Sequence, residues 1–157
     1  MKSKKQLFIH YGANEYNASI FKSVVNRKYP SNKPKHGTGL WASPVNSSFG
    51  WKDWFELDGV GLVKDFSRSF VFSLNKDVRV CKIENEQDLD SLPKAIKNVG
   101  YPMYGLDFEK IKQMYDVIYL TKQGQEETRL TNIDVNLYGW DCECVLILNK
   151  DIVECLD

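Results

Sequence analysis

Gly37-Thr38-Gly39-Leu40-Trp41-Ala42-Ser43-Pro44, with Gly50-Trp51-Lys52-Asp53-Trp54 a few residues on, is the stretch on which the reading of the fold turns. It is a glycine-punctuated turn, a short strand ending in a tryptophan and a small hydroxyl residue, and then a helix start with two more aromatics. Glycine permits close backbone approach, and aromatic faces stack on flat rings. Two readings are open here: the aromatics are core, as in many small domains, or they floor a pocket for a planar cationic ligand. What else converges on the stretch decides between them.

Upstream, residues 6–12 (Gln6-Leu7-Phe8-Ile9-His10-Tyr11-Gly12) read as a buried strand that ends in a polar, turn-forming step. Asn14 is placed to cap a helix, because Tyr16, Ile20, Phe21, Val24 and Val25 recur at helical spacing through about Lys28. From Tyr29 to His36 the chain turns to Pro30, Ser31, Asn32, Lys33, Pro34 and Lys35, which reads as a loop able to act as a flap beside the opening stretch.

Downstream, Asp58-Gly59-Val60-Gly61 breaks the chain. Ser69–Leu74 and Val78–Ile83 read as strands joined into a hairpin by Asn75-Lys76-Asp77. Leu89, Leu92 and Ile96 predict a short helix within 86–97, ended by Gly100 and Pro102. Asp107 caps a second short helix bearing Phe108, Ile111, Met114 and Tyr115, after which Asp116–Thr121 is a strand and Lys122–Glu127 a polar surface turn. A strong strand signal fills Cys142–Leu148, and Ile152–Leu156 returns as an edge strand after the turn Asn149-Lys150-Asp151. Strands outweigh short, interspersed helices, so the expected class is α+β with a largely antiparallel sheet.

The chain has 157 residues, which is most simply one domain over 1–157 with a core of its own. Lys and Arg total 21 and so do Asp and Glu, so no global charge advertises nucleic acid or an anionic membrane, and any ligand is recognised locally. The basic start Met1-Lys2-Ser3-Lys4-Lys5 is followed only by Leu7-Phe8-Ile9 before His10, too short for a signal peptide, and no apolar run nears the roughly 18 residues of a membrane span. A cytoplasmic protein, acting in its own or a recipient cell, is the expectation. Cys81, Cys142, Cys144 and Cys155 lack the paired Cys-x-x-Cys spacing of a zinc site and read as buried reduced thiols, with no metal expected.

Three polar points end or edge apolar strands: His10, the Trp41-Ala42-Ser43 step and Glu143. Singly, a strand-end histidine is structural and a strand-face glutamate is solvated. In combination, a histidine ending strand one, Gly37-Thr38-Gly39-Leu40-Trp41 with Ser43, Trp51 on the following helix and Glu143 heading Glu-Cys-Val-Leu-Ile-Leu resembles the ADP-ribosyltransferase superfamily. The branch is the poly(ADP-ribose) polymerase-like and diphtheria-toxin-like one, and Tyr115–Leu120 with Trp140–Asp151 is similar to small bacterial and phage-borne domains of it. The chain departs from the pattern in two places. Trp41 stands where the family has Tyr, and Tyr11 intervenes between His10 and Gly12 where the family has His-Gly directly. His36-Gly37-Thr38 spells the family's triplet but precedes the second strand, which favours His10.

The resemblance implies a split, largely antiparallel ADP-ribosyltransferase-like sheet flanked by short helices, with NAD as co-substrate. His10, Tyr11, Gly12, Gly39, Trp41, Ser43 and Trp51 would bind NAD, His10 donating to the adenosine-side ribose and the two tryptophans stacking on nicotinamide. Ser43 would hold the carboxamide or support Glu143. Glu143 would stabilise the oxocarbenium-like transition state, and Asp141, sharing its face if both lie on a regular strand, would contact the acceptor. The implied activity is mono-ADP-ribosyl transfer to a macromolecule, a protein side chain ahead of nucleic acid. Two rivals are an NAD glycohydrolase and a non-catalytic binding or inhibitor module that uses Trp41, Trp51, Trp54 and the proline-containing loop as its surface.

Overall fold

The computed structural model describes residues 4–19, 21–58 and 66–156. Among the described residues nine strands run in chain order: β1 (Leu7–Tyr11), β2 (Leu40–Pro44), β3 (Ser69–Leu74), β4 (Val80–Ile83), β5 (Lys94–Asn98), β6 (Pro102–Leu106), β7 (Val117–Leu120), β8 (Cys144–Ile147) and β9 (Val153–Cys155). Four short helices interleave with them: α1 (Trp51–Asp58), α2 (Glu86–Asp90), α3 (Phe108–Met114) and α4 (Lys122–Thr128). Seven strands form one sheet in the order β4-β7-β8-β2-β1-β3-β9, and β5 and β6 form a separate hairpin. All pairings in the large sheet are antiparallel except β4 with β7. The fold is therefore the expected α+β class, a large mostly antiparallel sheet with short helices.

The period-two alternation of the central strands builds a core on each side of the sheet. Trp41 packs with Leu146 and Ile118 on one side, where Leu89, Leu106, Phe108, Ile111 and Trp140 cover them. Ala42, Val145 and Val117 face the other way, against Phe8, Phe72 and Ile152. All four residues of β8 are buried, as a central strand covered on both faces requires.

Several predicted elements change. No helix forms over the described part of 14–28, and Ile20 lies outside the described residues. Its carbonyls serve the glycine turn instead: Gly39 N–H donates to Lys22 O at 2.7 Å and Lys35 N–H to Val25 O at 2.9 Å. Val24 still reaches the core, so burial is satisfied by an irregular segment laid along β2.

The hairpin expected over 69–83 does not form either. Asn75 N–H donates to Ile152 O, keeping β3 beside β9. Arg79 then carries the chain to the opposite edge, its main-chain N–H and guanidinium both meeting the Asp116 carboxylate at 2.9 to 3.2 Å, which places β4 parallel to β7.

The helix expected over 86–97 stops early. Asn85 caps it, accepting from Asp88 N–H at 2.9 Å, and Ser91 closes it. Pro93 then leads into the β5–β6 hairpin, turned by Gly100 at φ +96°. Asp107 caps α3 as expected, whereas 122–128 is a helix capped by Thr121 rather than a turn. The break expected at Gly59 to Gly61 lies outside the described residues.

Among the described residues no helix is long and apolar enough to cross a membrane. Cys81, Cys142 and Cys144 are buried thiols, but Cys155 on the edge strand is exposed, correcting the expectation that all four are buried. Burial pushes the Cys81 thiol up to about 11, so it stays protonated.

Candidate active site

The turn before β2 explains why glycine is needed there. Gly39 has φ +70°, and a Cβ on it would lie 2.8 Å from Leu146 Cδ1 and 2.9 Å from Val24 Cγ1. The close approach is to core side chains, so this glycine serves the packing of β2 on β8 first and the pocket second.

Ser43, two residues past Trp41, is 2% exposed and fully engaged. Its Oγ accepts from Trp51 N–H at 3.0 Å and donates to Glu143 O at 3.0 Å. One hydroxyl thus satisfies an orphan donor of α1 and ties β2 to the approach of β8. Asp53 adds a second cap, accepting from Gly50 N–H at 2.8 Å. Gly50 has no room for a side chain, since a Cβ would meet Ser43 Cβ at 2.9 Å. The bond of Ser43 is to the main-chain carbonyl of Glu143, not to its carboxylate.

These ties set the aromatic end of α1 against β2 and open a cleft of about 500 Å³. His10 and Tyr11 from β1, Gly39 and Trp41, and Trp51 and Trp54 from α1 line one side. The segment from Arg27 to Thr38 forms the other, with Asp141 and Gly139 at its edge. Trp41 and Trp51 lie 5.9 Å apart at 90°, and Trp41 meets Trp140 at 4.8 Å and 74°. Perpendicular rings make a corner rather than a parallel sandwich: a flat ligand would stack on one ring and meet the edge of the other. The indole Nε1 of Trp51 is buried, with no hydrogen-bond partner among the described residues.

His10 Nδ1 lies 2.6 Å from Trp41 O. A carbonyl only accepts, so Nδ1 carries the proton and Nε2 of the neutral ring is an acceptor. Its imidazole also packs on Phe70 at 5.2 Å. Gly12 is the turn after β1, at φ +117°, donating its N–H to Arg68 O, and it is not among the described lining residues. Burial, then the nearby Asp53 and Glu56 carboxylates, hold the Tyr11 phenol above its usual range, so it enters the cleft as a neutral group.

The two candidate carboxylates part company. β8 begins only at Cys144, so Asp141 and Glu143 do not share a regular strand, and the same-face expectation fails because 142–143 is a bend. Asp141 lines the cleft, with Arg129 Nη2 at 4.0 Å. Glu143 is not among the described lining residues; its Oε2 accepts from Tyr119 Oη at 2.7 Å. Tyr119 packs against the opposite core, edge-on to Phe8 at 6.3 Å, and draws the carboxylate to that side. Burial, and next the bond to Glu143, hold the Tyr119 phenol well above its ordinary value, so it remains the donor.

The cationic side was not expected as a binding wall. Arg27, Lys33, Lys35 and His36 all line the cleft. The loop is pinned: Asn32 Nδ2 donates to Asn136 O and Tyr138 O at 2.9 and 2.8 Å, Trp140 Nε1 donates to Asn32 O, and Arg27 Nε donates to Pro34 O. These bonds hold the loop against the 136–140 segment. The signal was present in the sequence as cations alternating with prolines between Arg27 and His36.

Compared with known proteins, the chain matches no family model, no curated protein and no solved structure.

Proposed function

We propose that the chain is an NAD-dependent mono-ADP-ribosyltransferase with an ADP-ribosyltransferase-like split sheet. The observation that carries this reading is one cleft lined by His10, Trp41 and Trp51 together with the carboxylate of Asp141 and the cations Arg27, Lys33 and Lys35. A dinucleotide needs such a set: an aromatic surface for a cationic ring, hydrogen-bonding groups for ribose and positive charge for a pyrophosphate. The volume of about 500 Å³ is in the range of small-molecule sites.

In this reading Trp41 and Trp51 seat nicotinamide in their corner, and Arg27, Lys33 and Lys35 neutralise the phosphates. His10, its Nδ1 held by Trp41 O, lends its ring to the ribose side of the cleft. The bond between C1′ and the nicotinamide nitrogen breaks, its electron pair passing to the ring, which leaves neutral. Asp141, as the cleft carboxylate, accepts the 2′-hydroxyl hydrogen bond and stabilises the positive charge growing on the ribose. A lone pair of the acceptor then forms the new bond at C1′, and the acceptor's proton passes to a carboxylate or to solvent. Glu143, held by Tyr119, braces the chain on which Asp141 sits.

Incubation with NAD tests the reading, following nicotinamide release and the mass of candidate acceptors. Release with an ADP-ribose increment on a macromolecule is expected. Free ADP-ribose alone would assign hydrolysis instead, and neither release nor calorimetric binding at millimolar NAD would overturn the assignment. A binding module without turnover is the reading favoured by Glu143 standing outside the cleft; saturable NAD binding with no release would establish it.

A further inference from the structure

A second groove, of about 230 Å³, lies between the 26–33 segment and the β5–β6 hairpin. Arg27, Lys28, Lys33 and Lys97 line it, and no carboxylate is among its described lining residues. In a chain whose formal charges cancel, this is a local concentration of positive charge. The nearest acids are at its Asn26 end and already engaged, Asp107 Oδ1 by Asn26 Nδ2 at 3.0 Å and Glu109 Oε2 by Asn26 N–H at 3.4 Å. Tyr29 stands among the cations, 47% exposed, with Lys97 Nζ 4.4 Å and Lys28 Nζ 5.6 Å from its ring centroid. Tyr101, beside the hairpin turn, is 64% exposed. Arg27 and Lys33 line both this groove and the cleft, so the positive surface is continuous between them.

We propose that this groove docks a single-stranded nucleic acid, the acceptor that the adjoining cleft would modify. The inference rests on the transferase reading for the word acceptor, and on the groove alone for the docking. Cations spaced along a groove pair with successive phosphates, and exposed tyrosine rings among them offer stacking surfaces that only an unpaired base can use. An acidic peptide would use the lysines but leave the aromatics without a task. A duplex would hide its base faces.

The test is fluorescence anisotropy with a labelled 12-nucleotide single-stranded DNA of mixed sequence, its duplex and poly-glutamate as competitor, across a salt series. The wild-type protein is expected to prefer the single strand. K28A/K97A, both exposed and outside the NAD cleft, should weaken binding about tenfold and reduce the salt slope by about 1.4, two phosphate contacts' worth. Y29A should cost about tenfold and Y29F little, since stacking needs the ring and not the hydroxyl. Circular dichroism confirms that each variant is folded. Binding unchanged in both K28A/K97A and Y29A, no binding at millimolar protein, or equal competition by duplex or poly-glutamate would overturn the proposal. Nicotinamide release without oligonucleotide should be untouched in K28A/K97A. Loss of oligonucleotide binding with release intact therefore condemns the groove alone, and intact binding with no release in any protein condemns the transferase reading alone.

Discussion

Asp141 and Glu143 are two residues apart and carry the same chemistry, yet they belong to different regions of the molecule. Asp141 lines the aromatic and cationic cleft beside α1, with Arg129 for company. Glu143 is bound by a half-buried tyrosine packed on the opposite core. The bend at 142–143 separates them by denying both the strand geometry that would have aligned them. The comparison teaches that a carboxylate's task follows from which core its neighbours belong to, and that spacing along a strand assigns a face only where the strand exists.

The comparison breaks most visibly in rates. D141N is expected to lose nicotinamide release by on the order of a hundredfold with NAD binding retained, and E143Q by under tenfold. The reverse order, measured under saturating NAD, would return the catalytic role to Glu143 and require its side chain to leave Tyr119 during turnover.

A third carboxylate calibrates what a purely structural acid looks like. Asp116 is 4% exposed and accepts from Arg79 and from Asn149, at 3.2 Å for the latter. The Arg79 side-chain hydrogen bond first, then the main-chain and Asn149 bonds, hold its carboxyl below the usual range against the opposing effect of burial. With the folded value below the unfolded one, its stabilisation is present above the unfolded carboxyl range and is lost as pH falls through the folded value. D116N should lower the urea midpoint at pH 7, with the gap to wild type closing below about pH 4. A gap that persists at pH 2 would mean that the charge is not what matters at this position.

The smallest effect belongs to Tyr119. Y119F removes the donor to Glu143, and should cost about 1 kcal/mol of stability with release of nicotinamide changed less than threefold. A tenfold change in rate at unchanged stability would make Tyr119 a positioning residue and shift weight toward Glu143. In the same series, W51F should weaken NAD binding several-fold, because it keeps a ring in the cleft but presents a smaller stacking face; calorimetry reads the difference.

Much of the central sheet was legible because its signals are local. Leu7–Tyr11, Leu40–Pro44, Val117–Leu120 and Cys144–Ile147 are short apolar runs bounded by turn residues, and each is a strand. Asp107 and the helix at Trp51 announced themselves by capping chemistry. What failed was partner choice. Ser69–Leu74 and Val80–Ile83 are strands, but the short turn between them suggested a hairpin, whereas Ile152 and Asp116, far along the chain, hold them in opposite halves of the sheet. The apolar spacing of 14–28 is helical, yet the glycine turn claims its carbonyls.

For the candidate site, the sequence by itself determined which chemistries are at hand: a strand-end histidine, tryptophans at 41 and 51, and two carboxylates near the head of the last central strand. Tertiary structure alone decided how they are used. It set Trp41 and Trp51 perpendicular, engaged Ser43 in bracing the fold, brought Lys33 and Lys35 to line the cleft, and sorted Asp141 from Glu143. The physical reason is that residue type and periodicity are carried by neighbours a few positions away, while a hydrogen-bond partner or a shared cleft depends on segments that meet only when the whole sheet has formed.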